Sequence, residues 1–448
     1  METEESKKQY KRMIESPIPG LVTSMAIPTV ISMLITVIYN TADTFFVSHI
    51  NKSASAAVGA IYPIMAIIQA VGYGLAMGGG SLSSLMLGQK RDEDAYRYST
   101  TAFFTAVVFG VPVAIVGLLP NAGFLRLLGC SSTMLPYAQP YAKIILLAAP
   151  LSCSTFVLTN ILRAQGKATL TMWALGIGGV LNLLLDPLFI FTLNLGTGGA
   201  ALATIISQAV SFGIFLFVFL TGRSIIVLHP KYISRHLKDY RQIILTGLPT
   251  ICRQSLGSLS AALLNVQAVV YGDAAVSAVT IANKAYVLVR NMVLGIGQGF
   301  QPVAGYNFGA GEKKRTWQSF TFACKLGTVL CVVCAAAIAL FARPIMCWFS
   351  NDRQVVEIGI ETLYFCCAVM PFMAVSTYVN QLYQSLGFKG QATFLASCRQ
   401  GIFFVPAIFI LPKLFGCVGV ELSQPFGDLM TFFVSVPFMA SFYRKQIK

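Results

Sequence analysis

The chain has 448 residues, of which 56% are hydrophobic and only 11% are charged, against roughly 45–50% and about 25% in ordinary soluble domains. The formal net charge of +15 would indicate nucleic-acid binding in a soluble protein, but a composition this apolar excludes a chain surrounded mainly by water. We therefore expect a membrane protein that has the lipid bilayer, and no nucleic acid, as its partner.

About twelve apolar stretches follow one another along the chain, and each is long enough for the roughly 20 residues that a spanning helix needs. They are continuous rather than alternating, so they favour α-helices over a spanning barrel. The fold class predicted is an all-α polytopic membrane protein. The predicted spans are residues 20–49, 56–87, 99–119, 136–162, 168–193, 198–221, 243–271, 275–307, 316–341, 356–387, 391–411 and 417–442.

The distribution of basic residues predicts the orientation. Most of the 32 lysines and arginines fall in segments that lie on one side of the membrane, and few fall on the other side. By the positive-inside rule, both termini are expected in the cytoplasm. The polar segment before the first span is followed by an apolar run that is too long for a signal-peptide core, so we expect no cleavage.

An internal repeat divides the chain. Residues of the first half match residues of the second half at a constant offset of 221, as Pro28 matches Pro249 and Gly74 matches Gly295. Because each copy holds about six spans, we expect two six-helix lobes related by a pseudo-two-fold axis along the membrane normal. The predicted organisation is a cytoplasmic N-terminal segment, an N-lobe, a cytoplasmic linker, a C-lobe and a cytoplasmic tail, at residues 1–19, 20–221, 222–242, 243–443 and 444–448.

Metal and nucleotide sites are not expected. The eleven cysteines lie mostly within apolar helices, and the single Cys-x-x-Cys pair, Cys331 with Cys334, has no histidine nearby among the three in the chain. No glycine-rich phosphate loop is present, so we expect no ATP hydrolysis, no cofactor and no resident metal ion.

Two carboxylates stand out because a charged group at membrane depth is costly and is a functional candidate by default. Asp43 shares its helix face with Tyr39, and Asp186 shares its face with Asn182. If both carboxylates face one pocket, burial and mutual repulsion favour a group that takes up and releases protons, whereas oxygen ligands including Asn182 and Thr204 equally suit Na⁺. A purely structural, hydrogen-bonded aspartate pair is the alternative.

Other charged residues lie in the second half. Arg253, Lys284 and Arg290 fall in the seventh and eighth spans, and Glu421 and Asp428 fall in the twelfth. They are interpreted either as a polar network that stabilises or gates the C-lobe or as part of a substrate site. Three further basic residues are placed near helix ends, where their side chains would extend to the membrane surface: Lys143, Lys325 and Arg399.

Several motifs make the chain similar to the multidrug and toxic compound extrusion transporters. They are Pro28 in the first span, the run Tyr39–Phe46 (YNTADTFF), the end of the fourth span at Leu162–Gly166, the segment Asn182–Phe191 (NLLLDPLFIF) and the stretch Gly295–Gly309. The resemblance covers nearly the whole chain. It implies an antiporter without enzymatic activity that alternates between two open states and expels amphipathic, often cationic, small molecules in exchange for H⁺ or Na⁺.

The resemblance also implies site residues. It places an N-lobe ion site, with a surrounding polar network, on Asp43, Asn182, Asp186, Thr204, Tyr39, Tyr141 and Asn160. It makes Pro28 the point at which the first helix bends. Family members with a C-lobe Na⁺ site carry a glutamate in helix seven, where this chain has Cys252–Ser255. The resemblance therefore favours H⁺ coupling in the N-lobe of a bacterial inner-membrane protein, with no obligate protein partner.

Three rival functions remain at this point. A passive channel is disfavoured, because a two-lobe repeat suits rocking between two states better than a fixed pore. A flippase for lipid-linked saccharides or similar cargo is related in architecture, although about twelve spans rather than fourteen disfavour it. A membrane-embedded transferase enzyme would need catalytic residues clustered in loops at one interface, and the predicted outer loops are short and poor in His, Asp and Glu.

Overall fold

The computed structural model describes residues 4–118 and 122–447. Over these residues the chain is almost entirely helical and contains no β-strand, which confirms the all-α fold class. Three parts of the predictions lie outside the described residues: residues 1–3 of the N-terminal segment, residue 119 at the end of the third span with the two residues after it, and residue 448 of the tail.

The helices of the first half begin with a short one that precedes the predicted spans. Their bounds are α1 (Glu4–Glu15), α2 (Ile18–Ser48), α3 (Lys52–Gly88), α4 (Asp92–Leu118), α5 (Ala122–Leu127), α6 (Leu135–Leu147), α7 (Ala149–Ala164), α8 (Ala168–Pro187) with a π-helical turn at Leu188–Thr192, and α9 (Gly196–Leu220).

The helices of the second half follow a 3₁₀ turn at Pro230–Tyr232. Their bounds are α10 (Leu237–Val269), α11 (Asp273–Gly309), α12 (Lys313–Leu340), α13 (Ala342–Phe349), α14 (Arg353–Ser385), α15 (Lys389–Ser397), a π-helical turn at Cys398–Phe403, α16 (Phe404–Phe415) and α17 (Cys417–Phe442) with a final π-helical turn at Tyr443–Ile447. The repeat is visible in these bounds, because α3 and α11 are both 37 residues long and are displaced by the same 221 residues at each end.

Most of the predicted spans are apolar and long enough to cross a membrane. In the described chain nine helical segments meet that test, and α6 with α7 form a tenth span that is bent by 49°. The other two predicted spans correspond to α10 and α11, which are 33 and 37 residues long and carry Arg253, Lys284 and Arg290. Both helices are therefore long enough to span a membrane, but they are not among the helices that are also apolar enough.

The chain packs into two compact units. The first contains the N-terminal residues up to Met13 and Ile31–Gly247, and the second contains Ile14–Val30 and the chain from Leu248 onward. The boundaries thus fall inside α1, α2 and α10, and the last two are close to the repeat-related prolines Pro28 and Pro249. The first part of α2 packs in the second unit, and the first part of α10 packs in the first unit.

Glycines allow this packing, because they let two helix backbones approach closely. In the second unit, a Cβ atom on Gly299 of α11 would lie 2.5 Å from Cα of Ala26 in α2, and one on Gly295 would lie 2.8 Å from Cα of Val30. In the first unit, the repeat-related Gly78 of α3 contacts the carbonyl group of Ile243 in α10 in the same way. The glycine-rich stretch of α11 therefore serves helix packing.

The packing of α2 on α11 makes a prediction about stability. Replacing Gly299 with alanine would force the two backbones apart, and overpacking of this kind costs about 1–3 kcal/mol. Thermal unfolding of the purified protein in detergent should show a lowered midpoint. The matched control is Gly59→Ala in α3, where no heavy atom lies within 4 Å of the added Cβ. That change should leave the midpoint unchanged or raise it, since alanine favours a helix, and equal effects of the two changes would contradict the account.

Candidate functional site

The predicted carboxylates of the first unit lie on two different helices. Asp43 is in α2 and is partly buried, whereas Asp186 is in α8 and is fully buried. One turn before Asp186, the Asn182 amide donates to Oδ1 of Asp186 at 3.4 Å and also lies 3.5 Å from Oγ1 of Thr204 in α9. Thr204 in turn donates to the carbonyl oxygen of Ala200 at 3.1 Å.

The site holds oxygen atoms that the protein itself does not satisfy. Within residues 4–118 and 122–447, Oδ1 of Asp43, Oδ2 of Asp186 and Oδ1 of Asn182 are buried and have no hydrogen-bond partner. Asp43 and Asp186 are close enough for their charges to interact. A buried acceptor without a partner is costly, so this arrangement suits a proton or a small cation that these oxygens would bind.

Tyr141 of α6 completes the group around the carboxylates. Its ring is buried, it lies within electrostatic range of both Asp43 and Asp186, and its hydroxyl group lies 3.6 Å from the sulfur of Met65. Tyr39, one turn before Asp43, lies within range of that carboxylate.

An open cavity lies in the first unit, with about 690 Å³ of empty space including the part outside its mouth. Four of the predicted site residues line it, namely Tyr39, Asn160, Asn182 and Thr204. The structure therefore brings together the seven residues predicted for this site, four in the cavity wall and three next to it. Their roles in transport stay predictions.

The cavity wall also contains residues that sequence reasoning did not select. Tyr73 of α3 stacks on Phe156 of α7 with ring centroids 4.1 Å apart, and Ser152 donates to Gln208 at 2.6 Å. Arg163 lines the same cavity and is only 3% exposed. Sequence reasoning did not select Arg163, although its spacing of three residues from Asn160 on one helix was a usable signal.

A separate charged cluster lies in the second unit. Arg399, in the π-helical turn between α15 and α16, forms a buried ion pair with Asp428 of α17. The Tyr286 hydroxyl donates to the Asp428 carboxylate and accepts from Arg399. The prediction that Arg399 extends from a helix end to the membrane surface is therefore wrong, because the π-helical turn lies inside the span and Asp428 neutralises the charge there.

Arg253 and Arg290 share one cavity with Arg399. This open cavity lies among α10, α11, α14, α15 and α17, with about 520 Å³ of empty space including the part outside its mouth. The observed cluster differs from the predicted C-lobe network. Arg399 belongs to it, whereas the Lys284 side chain is exposed and neither Lys284 nor Glu421 lines the cavity. The helix turns Lys284 away from the face that carries Arg290.

Pro28 lies within α2, which continues as a helix on both sides of it. A proline inside a helix removes one backbone hydrogen bond and weakens the helix there. Pro28 is buried and lies two residues before the boundary between the two units. Its role as a hinge stays a prediction.

The repeated helical units, the apolar spans of the described chain and the buried charge clusters are typical of multi-pass membrane transporters. The family model described as MatE matches residues 28–188 and again residues 249–409. The chain belongs to the MatE family. The two matches are displaced by 221 residues at both ends, which confirms the internal repeat.

Relatives of known function are similar over nearly their whole length. The multidrug export protein MepA of Staphylococcus haemolyticus is 25% identical over 423 residues, which is 94% of this chain and 93% of the relative. MepA of Staphylococcus aureus (strain NCTC 8325) is 25% identical over 407 residues, or 91% and 90% of the two chains. Both relatives are named as export proteins rather than as enzymes.

A solved structure shows the same fold. The outward-facing conformation of a multidrug resistance MATE family transporter of the MOP superfamily is 24% identical, covers 97% of both chains and has a TM-score of 0.91. At this level of identity the likeness establishes the fold alone.

Proposed function

We propose that the chain is a secondary active efflux antiporter that exports amphipathic organic cations in exchange for H⁺ by alternating access. The observation that carries the proposal is the Asp43–Asp186 pair. The two carboxylates interact electrostatically, and each has a buried oxygen atom that lacks a hydrogen-bond partner among the described residues. The names of the Staphylococcus relatives support multidrug compounds as the class of cargo.

Proton exchange follows from the charge of this pair. When Asp43 and Asp186 are ionised, their negative charges attract a cationic passenger in the neighbouring cavity. When they bind protons, that attraction is lost and the cation leaves. An ion drives export only if its affinity differs between the inward-open and outward-open states, so the protonated and ionised forms must favour different states.

Na⁺ is the alternative coupling ion. The side chains of Asp43, Asp186, Asn182 and Thr204 offer oxygen atoms, the donors that hard cations prefer. These residues fit Na⁺ as well as they fit protons, and the liposome experiment below distinguishes the two ions. No other cofactor is proposed.

The cavity of the first unit suits a flat amphipathic passenger. The stacked Tyr73 and Phe156 rings offer an aromatic face, and Met33 and Leu175 add apolar surface. Aromatic rings bind organic cations through their π faces, and methionine adapts to ligands of different shape. A cavity wall of aromatic rings and adaptable apolar side chains can therefore bind compounds of different structure.

The remaining parts of the proposal concern placement and movement. We place the chain in a bacterial inner membrane with both termini in the cytoplasm, since basic residues concentrate on one side of the spans. Pro28 serves as the hinge at which α2 bends when the Asp43–Asp186 pair gains or loses protons. The functional unit needs no protein partner.

Reconstitution in liposomes tests the proposal. The purified chain is given a pH gradient, a Na⁺ gradient or neither, and movement of the cationic dye ethidium is followed by fluorescence. A pH gradient alone should drive dye accumulation, and a Na⁺ gradient alone should not. Dye movement driven only by Na⁺ would replace H⁺ as the coupling ion, and no dye movement under either gradient would contradict drug export and favour a lipid or metabolite flippase.

A further inference from the structure

The cavity of the second unit is basic. Its charged lining residues are the three arginines Arg253, Arg290 and Arg399, and among the described residues no acidic side chain lines it. Asp428 lies behind Arg399 and pairs with it. The wall of the cavity is therefore basic, with one of its three arginines paired to a carboxylate behind it.

The charge of Arg253 is poorly compensated by the described residues around it. Its Nη2 atom lies 3.4 Å from Oγ1 of Thr250, and within the described parts of the chain its buried Nε and Nη1 atoms have no hydrogen-bond partner. The charged groups that act on Arg253 are the cations of Arg290 and Arg399. A guanidinium held in this way is costly to bury and gains most from a bound anion.

The second buried carboxylate of this unit does not supply that anion. Glu421 of α17 interacts with Thr362, Cys417 and Glu361, which are not among the residues of the basic cavity. The carboxylate that pairs with Arg399 is already engaged by Tyr286 as well. The compensating charge for Arg253 therefore has to come from a ligand.

The basic character is specific to the second copy of the repeat. At the offset of 221 residues, Arg253, Arg290 and Arg399 correspond to Ser32, Gln69 and Gly178, which carry no charge. The carboxylates of the first unit have apolar counterparts in the same way. The duplicated fold needs neither set, so each set indicates a function of its own unit.

We infer that this basic cavity binds the anionic group of an amphipathic ligand, a carboxylate or a phosphate, through the guanidinium of Arg253. Arginine presents a planar fork of N–H donors that matches both groups. Leu294, Leu395 and Ala396 in the wall contact the apolar part of the ligand. This inference rests on the proposed export function in one respect, that the bound ligand is treated as transported cargo. It extends the class of cargo from cations to zwitterionic and anionic amphiphiles.

A matched pair of dyes tests the inference. Rhodamine B carries a free carboxylate, and its methyl ester has the same ring system without that negative charge. Binding of each dye to the purified full-length chain in neutral detergent is measured by fluorescence polarisation. The Arg253→Gln variant should bind rhodamine B about ten-fold or more weakly, because a hydrogen bond to a charged group is worth at least that factor. Binding of the ester should be unchanged.

The control is Arg353→Gln, which removes one positive charge from a side chain that is 91% exposed and should leave both dyes unaffected. Equal weakening of both dyes by Arg253→Gln, or no weakening of either, would overturn the inference. If that variant does not fold, Arg253→Lys keeps the charge without the planar fork and should still weaken rhodamine B selectively.

Competition separates the sources of the anionic group. Displacement of rhodamine B by an anionic short-chain phosphatidylglycerol, but not by phosphatidylcholine, supports the inference with a lipid headgroup as ligand, and displacement by neither lipid supports it with a carboxylate amphiphile. Displacement by inorganic phosphate alone at similar concentration overturns the requirement for an amphiphile. Since binding is measured without a gradient, selective binding in a chain that exports no dye would contradict the antiport proposal and leave this site intact.

Discussion

Replacing Asp186 with asparagine is expected to reduce gradient-driven dye transport to the level of liposomes without protein. Asparagine has the same size and still hydrogen-bonds with Asn182, but it neither ionises nor takes up a proton. The fully buried Asp186 carboxylate would thus lose its two charge states, and an ion with equal affinity for both conformations drives no change. The measurement is ethidium accumulation in liposomes under an imposed pH gradient.

The matched control is Glu357→Gln, the same change of a carboxylate to an amide on an exposed side chain that pairs with Arg353. It should transport at the wild-type rate, because an exposed ion pair of this kind contributes about 0–1 kcal/mol. Asp43→Asn should behave as Asp186→Asn does. Normal gradient-driven export by both aspartate variants would contradict a coupling role for the pair, and a lowered thermal stability together with normal export would make the pair purely structural.

The second large effect concerns the ion pair of the second unit. Asp428→Leu should lower the free energy of unfolding by about 3–5 kcal/mol, since it leaves the buried Arg399 guanidinium without its carboxylate. Asp428 is only 1% exposed, and Tyr286 would lose a hydrogen-bond acceptor in the same change. The measurement is unfolding of the purified protein in mixed micelles, followed by tyrosine and tryptophan fluorescence.

A double variant shows whether the loss of stability comes from the uncompensated charge of Arg399 or from lost packing of the Asp428 side chain. Combining Asp428→Leu with Arg399→Met removes both charges and should recover most of the lost stability, because apolar replacement of a whole buried pair is often neutral. If the double variant were as unstable as Asp428→Leu alone, packing of the Asp428 side chain, and not its charge, would be the cause.

The fold was largely predictable from the sequence, because spans and repeat depend on strong local signals. Apolar runs of the required length occur at each predicted span, and the offset seen in the prolines and glycines recurs in the bounds of α3 and α11. The bend between α6 and α7 was not predictable. Pro150 and its counterpart Pro371 occupy equivalent positions, yet α14 continues through Pro371 whereas the first-half span breaks at Ala148.

The unit boundaries required the structure. A sequence divides into copies where the repeat begins and ends, but close backbone contacts decide which helices pack together. The contact of Gly299 with Ala26 joins α11 to the first part of α2 across more than half of the chain. No local sequence pattern predicts that α11 packs against the first part of α2, although the glycines that permit this contact were recognisable in the sequence.

The two charged sites differ in how much the sequence revealed. Asp43 and Asp186 were found because each is an isolated carboxylate within an apolar span, and helical spacing named Tyr39 and Asn182 as neighbours. Arg399 was misjudged because the depth of a residue near a predicted helix end depends on tertiary packing. The partner of Arg399, Asp428, lies on another helix, and only the fold brings the two together.

Reverse coupling tests the central claim most directly. Liposomes that contain the chain and an internal pH indicator begin with equal pH on both sides, and ethidium is added outside. Since coupling between two ligands is reciprocal, entry of the cation should drive protons out and make the interior more alkaline, and Asp186→Asn should abolish this change. Entry of ethidium into wild-type liposomes at full rate with a constant internal pH would contradict proton antiport.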